Sequence, residues 1–133
     1  MVYSHPRCIE RPLLWMGSAL KDLNKLPVEV RTHIGHALNA AQRGERAPSA
    51  KALRGFHGSD VLEIVVSDRS GTFRAAYLIR FPEVIVVLHV FQKKSKTGIE
   101  TPREDMALIN RRLKTAIFQL KAIQNEKKSE RPH

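Results

Sequence analysis

The chain has 133 residues, 42% hydrophobic and 27% charged, which suits one domain around a single core. Twenty-three Lys and Arg stand against thirteen Asp and Glu, a formal charge of +10; that excess favours a polyanionic partner, or serves only as a solvated basic surface, and fixes neither the fold nor the kind of nucleic acid. One cysteine, Cys8, excludes an internal disulfide framework and a cysteine-rich zinc site. No run approaches the roughly 18 apolar residues of a membrane span, and the N-terminus lacks a signal-peptide hydrophobic region, so a cytoplasmic protein without membrane attachment is expected.

Residues 1–11 are polar and read as a loosely held arm. Pro12-Leu13-Leu14-Trp15-Met16 reads as a short first strand, with Pro12 where no ladder hydrogen bond is lost. Gly17-Ser18 breaks it, and Ser18 suits a helix N-cap. Ala19, Leu20, Leu23 and Leu26 follow helical spacing. Pro27 then sits where a second helix begins, and Val30, Ile34, Ala37, Leu38 and Ala41 form its apolar stripe up to Gly44. Glu45–Asp60 is the least regular internal segment and carries Lys51, Arg54 and His57.

Three strands follow. The first is Val61–Ser67, then a turn at Asp68-Arg69-Ser70-Gly71 with Gly71 free to take positive φ. The next two, Thr72–Phe81 and Val84–Lys93, fold back at Phe81-Pro82-Glu83-Val84. Period-two alternation assigns Leu62, Ile64, Val66, Phe73, Ala75, Tyr77, Ile79 and Phe81 to one apolar face, with Val84, Val86, Leu88 and Val90 beside them. The other face takes Glu63, Val65, Arg74, Ala76, Leu78 and Arg80, with Ile85, Val87, His89, Phe91 and Lys93. It is apolar near the turn and gathers Arg74, His89, Phe91 and Lys93 at the far end. Thr101, Pro102 and Glu104 read as an N-cap, first helical position and capping box. Met106, Ile109, Leu113, Ile117 and Leu120 continue that helix to about Gln124, so that it covers Val61, Leu78, Ile85 and Val87. Residues 125–133 read as a frayed polar tail, leaving one domain over residues 12–124. The predicted class is α+β: an N-terminal strand and helical hairpin, then an antiparallel sheet of three further strands and a C-terminal helix.

This order, with Leu53-Arg54-Gly55, Leu62-Glu63-Ile64, Phe73-Arg74-Ala75-Ala76-Tyr77 and above all Leu88-His89-Val90-Phe91-Gln92-Lys93-Lys94-Ser95-Lys96-Thr97 before Thr101-Pro102, resembles the RelE/ParE toxin superfamily and its phage-related, HigB-like killer-protein branch. The resemblance covers roughly Pro12 to Lys121. It implies the toxin of a type II toxin–antitoxin pair, a cognate helix-turn-helix antitoxin, and, for RelE-like members, cleavage of mRNA in the ribosomal A site. Arg74 matches the arginine of the family's Tyr-Arg strand motif, which contacts the scissile phosphate. Lys93 or Lys94 falls where a second basic residue follows the last strand. The lysine pair of the preceding strand is absent, with Glu63 and Val65 in its place, and so is the C-terminal tyrosine. A ParE-like toxin that binds DNA gyrase and cuts nothing is therefore the alternative, and a phage remnant that binds RNA without cutting it is a third.

Metal-free RNA cleavage needs the 2′-OH deprotonated, charge on the phosphorane stabilised and the 5′-oxygen protonated. Arg74 suits the middle task through its planar fork, forms a structural ion pair with Glu63, or does both. On the catalytic reading Arg74→Ala abolishes cleavage with little loss of stability. Lys93 and Lys94 suit phosphate contact or proton exchange, or form a solvated loop with Lys96. His89, with its ordinary pKa near 6.5, suits acid–base work or is a satisfied core histidine. Phe91 either stacks a base or packs on the last helix. Lys51, Arg54 and His57 are placed to line an RNA groove, and Lys96 to grip a backbone phosphate. Glu29, His33 and His36 lack a fourth ligand, so no metal site is assigned, and no cofactor motif is present. The oligomeric state of the free chain is left open.

Overall fold

The computed structural model describes residues 10–56, 60–93 and 101–130, with side chains to residue 126. Strand β1 (Leu13–Trp15) leads into helices α1 (Ala19–Asn24) and α2 (Val28–Gln42). Strands β2 (Ala50–Ala52), β3 (Val61–Asp68), β4 (Gly71–Leu78) and β5 (Ile85–Lys93) follow, and α3 (Arg103–Glu130) closes the chain. The five strands form one sheet in the order β1-β5-β4-β3-β2. Only β1 lies parallel to its neighbour, pairing Leu13–Trp15 with Ile85–Val87.

Alternation puts an apolar row on each side of this sheet, and each row needs a cover. The α1–α2 hairpin covers one side. Val30, Ile34, Ala37, Leu38 and Ala41 form its inward stripe and pack on Leu62, Ile64, Phe73, Ala75, Tyr77, Ile85, Val87 and Val90. On the other side α3 lays Ile109, Leu113 and Ala116 on Val61, Ala76, Leu78, Val86 and Leu88. Arg11 clamps the hairpin from outside, donating to the carbonyls of Ala41 and Phe81. None of the described helices is long and apolar enough to cross a membrane.

The strands and both hairpin helices fall within a few residues of their expected positions, and four details differ. β2 lies inside the segment read as irregular: Ala50, Lys51 and Ala52 pair with Ile64, Glu63 and Leu62, and two alanines in three residues carry almost no strand signal. The helix α3 continues to Glu130, beyond the expected end at Gln124. It begins at Arg103, and the Thr101 hydroxyl donates to Glu63 across the sheet.

The fourth difference reorganises a whole strand. From Thr72↔Lys93 to Ala76↔His89 the β4–β5 register is as the alternation predicts, but Tyr77 then pairs with Val87 and Leu88 is skipped. This bulge turns Val86 and Leu88 under α3 and sends Ile85 and Val87 to the hairpin side, the reverse of the expected faces. Phe81 also packs on the α3 side. A bulged residue leaves its carbonyl outside the ladder, and here Arg112 of α3 donates to the Leu88 oxygen at 2.9 Å. Gly17, at φ +53, makes room for that side chain: a Cβ there would lie 2.7 Å from the Arg112 guanidinium.

Two predictions come from this packing. Arg112→Ala leaves the Leu88 carbonyl unmatched beneath α3, and its urea unfolding free energy should fall by about 1–3 kcal/mol. Burial pushes the Tyr77 hydroxyl above its ordinary pKa, so the folded side chain stays neutral where the unfolded chain already ionises. Its contribution is complete below about pH 10 and is lost as pH rises further. Urea midpoints should show Tyr77→Phe losing less stability than wild type above about pH 10.

Candidate functional site

Residues paired across antiparallel strands share a face, so the register writes out the α3 side of the sheet row by row. One row is Lys51, Glu63, Ala76 and His89; the next is Val65, Arg74 and Phe91; the outermost is Ser67, Thr72 and Lys93. The two outer rows lie past the buried residues on which Ile109, Leu113 and Ala116 pack, with Phe91 half-buried against that cluster. The strands thus set out the polar end of the sheet, and Thr101 and Asp105 at the start of α3 complete it.

Glu63 stands at its centre. Arg74 Nη1 donates to Glu63 Oε1 at 2.8 Å. Lys51 Nζ stands 3.9 Å from the same oxygen, and the Thr101 hydroxyl donates to Oε2 at 3.2 Å. The Glu63 and Arg74 side chains are only 6% and 5% exposed. Lys51 remains 57% exposed and contributes little to stability.

His89 forms a second pair. Its Nε2 lies 2.7 Å from Asp105 Oδ1, in the first turn of α3. The imidazole stacks on Phe91, with ring centroids 4.6 Å apart and planes at 15°. The carboxylate and the aromatic face together fix the ring's orientation, with Nδ1 buried.

Beside β2 a cleft of about 450 Å³ opens between the strand, the turn after it and the start of α3. Lys51, Ala52, Leu53, Arg54, Gly55, Glu63, Thr101 and Met106 line it. Leu53 continues the β2 pairing through its N–H to the Val61 carbonyl. Gly55 takes φ +95, and a Cβ there would meet the Met106 methyl at 3.0 Å. The Leu53-Arg54-Gly55 sequence therefore carries one wall of the cleft against α3.

The structure brings Lys51, Arg54, Arg74, His89, Phe91 and Lys93 to one side of the sheet. Lys93 ends β5 and is 7% exposed. Lys94, Lys96 and His57 lie outside the described residues. The expectation that Arg74→Ala would cost little stability does not survive, because Glu63 would keep a buried charge without its nearest cation. Asp105 and Met106 were not singled out for the site by the sequence reading; both follow the helix start at Thr101-Pro102, but nothing in the sequence says which strand that first turn meets. On the opposite side of the molecule His33 and His36 line a separate groove with Glu45 and Arg46. Among the described residues no three His, Cys, Asp or Glu stand close enough to hold a metal ion.

The model of the family described as "Phage derived protein Gp49-like" matches residues 21–114. The chain belongs to the Gp49-like family. The match runs from α1 into the middle of α3 and takes in every side chain of the rows above, and membership agrees with the RelE-type superfamily that the strand motifs resemble. Among solved structures, the isolated Escherichia coli RelE toxin is 26% identical, with 65% of this chain and 88% of that one covered and a TM-score of 0.47. The toxin–antitoxin complex RelBE from E. coli is matched at 23% identity, over 64% of this chain and 99% of that chain, with a TM-score of 0.47. For the RelBE2 complex of Mycobacterium tuberculosis the values are 22%, 65%, 95% and 0.44. No curated protein matches this Gp49-like chain.

A buried pair broken on one side is expected to be far worse than a pair replaced as a whole. Glu63→Leu alone should destabilise the protein by about 3–5 kcal/mol, while Glu63→Leu with Arg74→Met should recover most of that loss. Chemical denaturation of the four proteins of this cycle checks it. A double variant no better than the single one would mean that Arg74 carries no unpaired-charge penalty once Glu63 is gone.

Proposed function

We propose that this protein is the toxin of a type II toxin–antitoxin pair and cuts mRNA in the ribosomal A site without a metal or cofactor. The observation that carries the reading is the clustering of Arg74, His89, Phe91 and Lys93 on adjacent rigid strands, with a carboxylate orienting each of the first two. Such a face suits a single RNA strand: cations for its phosphates and an aromatic for a base.

In this reading the 2′-OH loses its proton and attacks the adjacent phosphorus, the P–O5′ bond breaks, and the leaving oxygen takes a proton. Arg74 neutralises charge on the phosphorane, its fork aimed by Glu63. His89, held by Asp105, exchanges one of the protons, and Lys93 or Lys94 serves the other end of the bond. Phe91 stacks a base, while Lys51, Arg54 and Lys96 grip neighbouring phosphates. A helix-turn-helix antitoxin neutralises the toxin by covering the cationic face; the RelBE complexes named above are toxin–antitoxin assemblies.

One observation favours a second reading. The strand position that carries lysines in RelE-like toxins here holds Glu63, and that carboxylate occupies the Arg74 guanidinium. A ParE-like toxin, which engages DNA gyrase and cuts no RNA, has no need of a phosphate-binding arginine.

Arg74→Lys separates the two readings, since it keeps a cation beside Glu63 and removes the planar fork. Primer extension on ribosome-held mRNA should show new breaks at A-site codons with wild type and at least about a hundredfold fewer with Arg74→Lys. Breaks with both proteins would move the site elsewhere. No breaks with either, joined to gyrase-dependent DNA cleavage, would establish the second reading. Binding of single-stranded RNA should weaken with salt at a log–log slope of about −3.5 for five phosphate contacts.

A further inference from the structure

We infer that the first turn of α3 is a latch that closes the site in the free protein, and that an RNA strand reaches Arg74 and His89 only after this turn lifts. The inference deepens the RNA reading above and rests on it. Glu63, Arg74, His89 and Lys93 are each no more than 7% exposed. A phosphate group of a polynucleotide cannot touch a guanidinium buried to that degree. His89 is closed in the same way, since Asp105 takes Nε2 at 2.7 Å and Nδ1 is buried. Lys51 and Arg54, by contrast, are exposed beside the cleft. The cations that would grip neighbouring phosphates stand in solvent, while the groups that would act on the scissile one are covered.

The contacts that hold the turn down are few and mostly polar. Thr101 donates to Glu63 Oε2, Asp105 meets His89, and the Met106 methyl lies where a Cβ on Gly55 would stand 3.0 Å away. Thr101, Pro102, Asp105 and Met106 are half-buried, and Arg103 and Glu104 are exposed. Ile109 is the first fully buried residue of the helix, and Leu113 and Ala116 follow it. Apolar packing therefore anchors α3 from Ile109 onwards. The end before it is short and held by two hydrogen bonds and one thioether, the kind of segment that opens at a small fraction of the global unfolding free energy. Both hydrogen bonds end on buried polar residues of the sheet, so lifting the turn uncovers Glu63 and His89 together. Asp105 then yields Nε2 to the strand, while the stack on Phe91, built on β5 itself, keeps the imidazole in its plane. A ligand that binds only the open form has its apparent affinity reduced by the fraction of molecules that are closed.

The test compares the intact chain with Thr101→Val, which keeps the shape and loses the hydroxyl, and with Thr101→Ser, which keeps the hydroxyl. One readout is hydrogen exchange at the Met106 amide, which donates to the Pro102 carbonyl within the turn. The other is affinity for a short single-stranded RNA of mixed sequence. In wild type the Met106 amide should exchange far faster than the amides of β4. Thr101→Val should speed that exchange about tenfold and tighten RNA binding by a similar factor, with Thr101→Ser close to wild type in both. Met106→Ala removes the thioether contact without touching Glu63; it should act in the same direction and stands in for Thr101→Val if that variant does not fold. Faster exchange without tighter binding would reduce the contacts to fold support and overturn the latch. Met106 exchange no faster than that of β4 would overturn it too, because the turn would then open only with the whole fold. RNA binding by none of the proteins would sink the RNA reading, and this inference with it, whereas RNA binding that ignores the latch would sink this inference alone.

Discussion

A carboxylate buried in a sheet face must be neutralised or protonated, and the solution found for Glu63 organises this molecule. Its partners come from three separate parts of the chain: Arg74 on the adjacent strand, Lys51 on the short edge strand, and Thr101 just before the last helix. The pair with Arg74 is nearly solvent-free, where removing one partner is severe because the survivor is left in low dielectric. Stability and site geometry are therefore not independent here. The interaction that aims the guanidinium also holds β3 to β4 and anchors the entry to α3.

The bulge at Leu88 is the second constraint, and it decides what α3 can reach. Without it, Val86 and Leu88 would face the hairpin, and the chain beneath α3 would be Ile85 and Val87, one residue out of phase. With it, His89 keeps its predicted face beside Ala76 while the strand beyond it is reversed. Leu88 and His89 thus both turn towards α3, one to pack on its apolar stripe and the other to meet Asp105. Arg112 satisfies the carbonyl that the bulge releases. A single skipped residue joins the apolar seat of the helix to the polar site at its first turn.

This is also where reading the sequence stops. Alternation over β3 and β4 was legible because each is eight residues long with one unbroken pattern, and it placed Glu63, Arg74, Ala76 and Leu78 on one face correctly. The helical hairpin was legible from its stripe. In β5 the run Ile85-Val86-Val87-Leu88 is apolar on both faces, so nothing in it marks which residue is skipped. β2 was invisible because its pairing is supplied by β3 rather than by its own alanines. Lys51 and Arg54 could be named from their charge, whereas the cleft they line could not, since it needs Met106 from a segment some fifty residues later in the sequence. The Glu63–Arg74 proximity followed from register; its burial did not, because burial depends on where α3 begins to cover the sheet.

A surplus of ten positive charges attracts every polyanion alike, and counterion release rewards RNA, DNA and an acidic protein by the same law. Selectivity has to come from somewhere else. In this site it can come from the negative groups, Glu63 and Asp105, each set within a cationic or aromatic surround. They lower the local positive potential and so weaken indiscriminate binding, and they fix the direction in which Arg74 and His89 point. A lysine at position 63 would raise affinity for any strand of phosphates and release Arg74 from its orientation. The acid trades affinity for geometry, the exchange by which a strongly basic surface can prefer one polyanion over another.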